Sequence, residues 1–199
     1  LKRSLEKKVN LFVALSPVAF MAQMSNKLVW GVSTIYRQFP TVVESVFSYG
    51  IFSWDGLLLP LQFICKVTHG TLCKFVLWML IGATREDIAA AVTNLTAHAP
   101  SGSSVKCISH FFQLAHSAKF AEYDYGEAGN LERYGSEHPP DYELSNANIP
   151  TAFFVGDHDT IGDYRDVKTA ISQMPASTVA FQTVVRHAAH HTWFIGTHA

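Results

Sequence analysis

The sequence predicts an α/β fold built on a parallel sheet, and three features of its C-terminal third carry that expectation. Ile149-Pro-Thr-Ala-Phe-Phe-Val-Gly156 is a short, nearly continuous apolar run with β-branched and aromatic residues, the pattern of a strand buried on both faces. A helix follows, because Tyr164, Val167, Ile171 and Met174 recur at intervals of three and four and Pro175 closes the run. Thr178 to Val185 then reads as a second short strand.

The residues that carry chemistry stand where such a sheet puts its site, just outside the carboxyl ends of strands. Asp157 and Asp159 directly follow the first strand, and His187, His190 and His191 follow the second. The chain order Ser…Asp…His, each member on a loop after a strand, is that of the α/β-hydrolase triad. Its last two members are legible here and its first is not. Gly31-Val-Ser-Thr-Ile35 is the nearest look-alike to the nucleophile motif Gly-x-Ser-x-Gly, and it lacks the second glycine.

With 199 residues, 48% hydrophobic and 16% charged, the chain has enough apolar material for one good core. A formal net charge of −1 with no Lys/Arg cluster argues against a nucleic-acid partner. The three cysteines, Cys65, Cys73 and Cys107, exclude a complete disulfide framework and leave one pair open. Asn94-Leu-Thr96 is a glycosylation sequon, which matters if the chain is secreted. The first residues, Leu1-Lys-Arg-Ser-Leu-Glu-Lys-Lys, are charged and lead straight into an apolar strand, unlike a signal peptide. The chain opens in mid-fold and stops a few residues after the histidines, so it reads as a fragment of a longer protein.

Taken in order, residues 1–8 read as the end of an amphipathic helix and Val9 to Leu15 as a strand, with Ser16-Pro17-Val18 turning out of it. A lone strand at this point needs parallel neighbours. From Phe20 to about Ser117 strand-helix alternation stops. Leu57 to Cys65 and Leu72 to Ile81 are very apolar, yet both fall short of the roughly 18 residues of a spanning helix. They read as buried helices of a helical subdomain, or as a surface in contact with lipid. Arg85 to Ala91 continues as helix, Ala99 to Ser104 is a loop, and Val105, Ile108, Phe112 and Ala115 restore a helical pattern. Phe120 to Tyr125 is short and aromatic, and residues 126–148 form a polar connection holding Pro139-Pro140.

Several of these stretches together resemble the C-terminal part of the acid lipases, the gastric and lysosomal acid lipase and steryl-ester hydrolase group. Val9 to Ala19 is similar to the family's strand after the nucleophile helix, ending in Ala-Pro-Val-Ala. Pro100 to Lys106, followed by His110 and Gln113, is similar to its Pro-Ala-Gly-Thr-Ser-Val…His-Trp-Ser-Gln. Lys119-Phe120, Tyr123 to Gly126 and Pro139 to Tyr142 resemble its Lys-Phe…Phe-Asp-Trp-Gly and Pro-Pro-x-Tyr. Val155 to Asp159 stands where the family has Gly-Gly-x-Asp, and His191 to Ile195 where it has His-Leu-Asp-Phe-Ile-Trp. The pieces run in the family's order along nearly the whole chain.

The resemblance implies an α/β-hydrolase core interrupted by a mostly helical cap, acting on neutral lipid esters, triacylglycerol or steryl ester, at acidic pH. It divides the chain into a core strand over residues 1–19, a cap over 20–118 and the C-terminal part of the core over 119–199. Carried over by position, Asp159 matches the triad acid and His191 the triad base, while nucleophile and oxyanion loop lie upstream of this sequence. It implies a secreted or lysosomal, endomembrane-lumen setting, transient lipid contact through the cap, no transmembrane segment, and no metal or other cofactor. Cys73 resembles the family's second cysteine and Cys65 sits near its partner's place, which favours a bridge, the rival being two buried free thiols; Ile81 stands at the family's third, and the remaining thiol is Cys107. Two departures fall at the site: Asp157 is an extra acid, and Trp193 replaces the family's Asp two residues after the base.

Each assignment has a rival. Asp159 also suits a loop acid or helix cap, although Asp163 is better placed to cap the helix, and Asp157 competes for the triad role. His190 is one residue from His191, and His187 with His191, four apart, is a metal-pair spacing without a completing Cys or Glu. At the level of function, the alternatives are a catalytically silent lipid-binding homologue and another α/β-hydrolase, such as an epoxide hydrolase or haloperoxidase, with a different nucleophile. By itself the chain is expected to be inactive and, with an open apolar sheet edge, prone to aggregate.

Overall fold

A computed structural model describes residues 6–42 and 104–195, together with positions 45, 63–64, 66–68, 71–72, 74–75 and 78. The expectations for Leu1 to Leu5, for Cys65 and Cys73, for most of the apolar runs 57–65 and 72–81, for Arg85 to Ala91, and for Asn94 lie outside the described residues.

The chain is of the α/β class. Three strands, β1 (Phe12–Leu15), β2 (Thr151–Gly156) and β3 (Val179–Val185), form a parallel sheet in the order β1-β2-β3. Phe12 pairs with Thr151 and Leu15 with Phe154, while Gly156 pairs with Val185. The central strand is β2, as its apolar run requires: Ala152, Phe153 and Val155 are buried, Val155 to 1%. The expected strand from Val9 shortens to Phe12, because the Phe12 amide donates to the carbonyl of Pro150 at 2.8 Å. Pro150 has no N–H to answer with, so the ladder ends there.

Four helices of eight residues or more accompany the sheet among the described residues: α1 (Lys27–Gln38), α2 (Val105–Ser117), α3 (Gly126–Tyr134) and α4 (Tyr164–Ser172). A one-turn helix, α5 (Thr192–Ile195), follows the histidines. Asp163 caps α4 by accepting the Arg165 amide at 2.8 Å, as the spacing predicts. α4 lays Val167 against Ala14, Phe153 and Val155, with Tyr164, Ile171 and Met174 alongside. Burying a side chain of the size of Phe153 is worth about 2–3 kcal/mol.

A second cluster joins the exit from β1 to α2. Met21, Met24, Leu114 and Ala115 pack together with Val18, Val29, Phe120 and Ile161. α1 lies on α2 through Tyr36 and Phe112, whose ring centroids are 5.4 Å apart. Ser33, the serine of the nucleophile look-alike, is fully buried inside α1, bonded to the Trp30 carbonyl and to Nε2 of His116 at 3.0 Å. The motif-like residues His110 and Gln113 of α2 clasp the following segment: His110 meets the Ala121 carbonyl, and Gln113 pairs with both N–H and C=O of Asp124.

The helix α3 falls inside residues 126–148, the stretch read from the sequence as a polar connection. Its organising residue is polar: Asn130, 1% exposed, accepts from the Tyr125 amide and donates to Asp124 and to the Glu137 carbonyl. Gly135, at φ +70, ends it in the left-handed region glycine favours.

Candidate active site

The βαβ unit β2-α4-β3 brings two loops together at the carboxyl ends of its strands. The acid loop leaves β2 at Gly156 and turns through Asp157 and His158 to Asp159. The histidine loop leaves β3 at Val185. They are stitched by backbone: the Asp157 amide donates to the Val185 carbonyl at 3.1 Å and the His158 amide to the Ala188 carbonyl at 2.9 Å. Ala188 and Ala189 are buried against this seam. Gly156 permits the approach, because a Cβ there would stand 2.1 Å from the Ala188 carbonyl oxygen.

Asp159 is buried, with none of its side chain exposed. Its Oδ1 accepts the amides of Ile161 at 2.9 Å and Gly162 at 2.8 Å, and its Oδ2 stands 2.9 Å from Nδ1 of His190. Burial pushes this carboxyl up, but the His190 bond and charge and the two amides outweigh it and hold the group below the usual carboxylate range. An ionised carboxylate has no proton to share, so the hydrogen of the 2.9 Å contact sits on Nδ1. A neutral imidazole held this way presents the lone pair of Nε2, and about a fifth of the His190 side chain reaches solvent. That is the geometry of a carboxylate-oriented general base.

Of the two histidines, the structure brings His190 to Asp159. His191, the one singled out by motif register, sets its ring edge-on against His190, with centroids 5.0 Å apart. Asp157 faces elsewhere: its carboxylate is 2.7 Å from Nδ1 of His158, whose ring stacks on His187 at 5.9 Å. Among the described residues no group of three or more His, Cys, Asp or Glu is arranged to hold a metal ion.

The acid loop is also tied to the segment leading out of β1. The Thr160 carbonyl accepts the amides of Ser25 and Asn26, both at 3.0 Å, while Asn26 caps α1 through the Val29 amide. Asp166 in α4, buried, accepts the Gln23 amide at 2.9 Å. On the other side, Trp193 of α5 donates its indole N–H to the Ser16 hydroxyl at 2.6 Å. Ser16 and Trp193 fall within two of the stretches that resemble the family and the other partners carry no motif; the departure at Trp193 is the only sequence signal that singled one of them out.

The depressed Asp159 carboxyl makes a pH prediction. A carboxyl lowered on folding stabilises the fold above its unfolded value, about 3.9, and that contribution is lost as pH falls through the lower folded value. The melting-temperature gap between wild type and Asp159→Asn should therefore hold steady above about pH 5 and close as the solution is acidified below about 4. Thermal melts across that range check it.

Fold and pair together define a class: an α/β protein with a carboxylate–imidazole dyad at the carboxyl ends of consecutive parallel strands. No protein-family model matches the chain. It is 28% identical over 189 residues to Lipase 3 of Drosophila melanogaster, which covers 93% of this chain and 48% of that protein. Against human lysosomal acid lipase/cholesteryl ester hydrolase it is 28% identical over 179 residues, 85% of this chain and 43% of the relative. Against bovine gastric triacylglycerol lipase the figures are 28% over 185 residues, 86% and 43%. These matches, over most of the chain, support the acid lipase family, with the chain corresponding to the C-terminal part of its members. It spans about half the length of the curated relatives it matches.

Proposed function

We propose that this chain supplies the acid and base of a serine ester hydrolase acting on neutral lipid esters, with the nucleophilic serine and the oxyanion donors contributed by an upstream part of the same polypeptide. The observation that carries this reading is the buried Asp159–His190 contact of 2.9 Å beside the carboxyl ends of β2 and β3. In the reaction, Nε2 of His190 takes the serine hydroxyl proton as the oxygen attacks the ester carbonyl. It then returns that proton to the departing alcohol. Asp159 holds the imidazole in the required tautomer and stabilises the imidazolium. Water repeats the cycle on the acyl-serine. Triacylglycerol and steryl ester are the substrates proposed, from the names of the relatives.

The wider layout follows the same reading. Residues 1–19 and 119–199 belong to the hydrolase core and 20–118 to a helical cap, supported by α1 packed on α2 and by the apolar residues Trp30, Ile35 and Phe39 that α1 and its end leave exposed. Such a surface suits transient contact with a lipid interface. Secretion or residence in an endomembrane lumen is the setting proposed. No helix among the described residues is long and apolar enough to cross a membrane.

The base has two candidates, and they separate cleanly. His190 is the one Asp159 holds in this structure; His191 is the one the family motif marks. The test is fluorophosphonate labelling of the full-length polypeptide, followed by peptide mapping. A labelled upstream Gly-x-Ser-x-Gly serine, with labelling lost in His190→Ala and kept in His191→Ala, is the expected result. Loss confined to His191→Ala transfers the base to that residue. A folded wild type that takes no label and turns over no ester would sink the hydrolase reading and leave a lipid-binding homologue.

A further inference from the structure

Ser16 stands at a crossing point that its place in the Val9 to Ala19 stretch does not account for. It immediately follows β1 and is buried, and its φ of +47 lies in the left-handed region that a serine seldom occupies. Its amide donates to the Phe154 carbonyl of β2 at 2.8 Å. Its carbonyl lies against Gly162 of the acid loop, where a Cβ would sit 3.3 Å from it and 3.1 Å from Oδ2 of Asp159. Its hydroxyl accepts the Trp193 indole N–H at 2.6 Å, across 177 positions of sequence. One residue thus touches the end of β1, the acid loop and the turn that follows the histidines.

Trp193 is built to transmit that contact. Its ring meets Phe154 of β2 nearly edge-on, with centroids 6.3 Å apart at 70°. It belongs to the turn that opens at Thr192, whose hydroxyl accepts the Ala189 amide at 2.7 Å, so His190 and His191 lie inside a closed loop whose far end the indole anchors. A half-buried indole N–H needs a partner, and the Ser16 hydroxyl at the exit of β1 supplies it.

We propose that Ser16 and Trp193 form a positioning pair that fixes the histidine-bearing turn to the carboxyl end of β1 and thereby holds His190 in register with Asp159. The proposal rests on the reading of His190 as the base. A base must be held to within about 0.5 Å of its productive geometry, and a misplacement near 1 Å costs about 100-fold in rate.

The test uses the full-length polypeptide with histidine labelled in 15N. Two quantities are followed: solvent exchange of the His190 Nδ1 proton, and kcat and KM on a neutral ester. Trp193→Phe keeps a ring on Phe154 and removes the donor. Ser16→Ala keeps a Cβ, and so the same backbone strain, and removes only the acceptor; it stands alone should the first variant fail to fold. Each variant should exchange about 10-fold faster and lose roughly 10- to 100-fold in kcat with KM within about 2-fold. The double variant should be no worse than either single, as for partners in one interaction. Unchanged exchange in a folded Ser16→Ala overturns the proposal, and if ester turnover persists, the hydrolase reading survives it. Faster exchange in a protein whose wild type hydrolyses no ester supports the positioning pair and rejects the hydrolase reading.

Discussion

Asp159→Asn is expected to lower kcat on a neutral ester by about 10³- to 10⁴-fold with little change in KM, measured in the full-length polypeptide. The reason is the tautomer. In the wild type the ionised carboxylate draws the proton to Nδ1 of His190 and leaves Nε2 free to accept. The Asn side chain offers an N–H as readily as an oxygen, so the ring can turn its proton to Nε2 and lose the lone pair that the proposed reaction uses. The amides of Ile161 and Gly162 keep an oxygen to donate to, so the loop itself should persist. A loss of similar size accompanied by global unfolding would assign Asp159 a structural role instead.

Gly156→Ala should be the most damaging single methyl in the described part of the chain. The added carbon would stand 2.1 Å from the Ala188 oxygen and 2.5 Å from its carbonyl carbon. Both are backbone, and the seam that carries them is closed by the His158 amide, so neither can step aside without opening the histidine loop. Overpacking of this kind costs about 1–3 kcal/mol and occasionally more. Here the release of that strain is the movement of His190 away from Asp159. Activity should therefore fall by roughly 100-fold or more even where the variant remains folded at room temperature. Denaturant unfolding alongside kcat separates the two effects; a variant with near wild-type turnover would show that the seam yields without moving the dyad.

The βαβ unit was legible because each element wrote its own period: a solid apolar run for β2, a stripe at threes and fours for α4, and Pro175 to stop it. Asp159 was legible for the same reason, standing directly beyond a strand that ended in glycine. The choice between His190 and His191 was not, since a loop has no period from which to read which of two adjacent side chains turns inward. The motif register points to one and the contact with Asp159 is made by the other. α3 was invisible because it is organised by Asn130 rather than by an apolar stripe, and hydrophobic periodicity has nothing to detect in a helix held by a buried amide. The Ser16–Trp193 contact joins residues with no shared pattern, and only the folded chain shows it.

Chain length between partners differs sharply across this site. Asp159 and His190 are 31 positions apart, whereas Gln23 and its partner Asp166 are 143 apart. By loop-closure entropy the longer span costs only about 1.4 kcal/mol more than the shorter. The long excursion between β1 and β2 is thus a minor thermodynamic burden, and it can vary in length with little effect on stability. Its weight is felt in time. Local pairs meet first and distant ones wait, so β2, α4 and β3 are expected to assemble with Asp159 and His190 already facing each other, and β1 to dock onto that nucleus last.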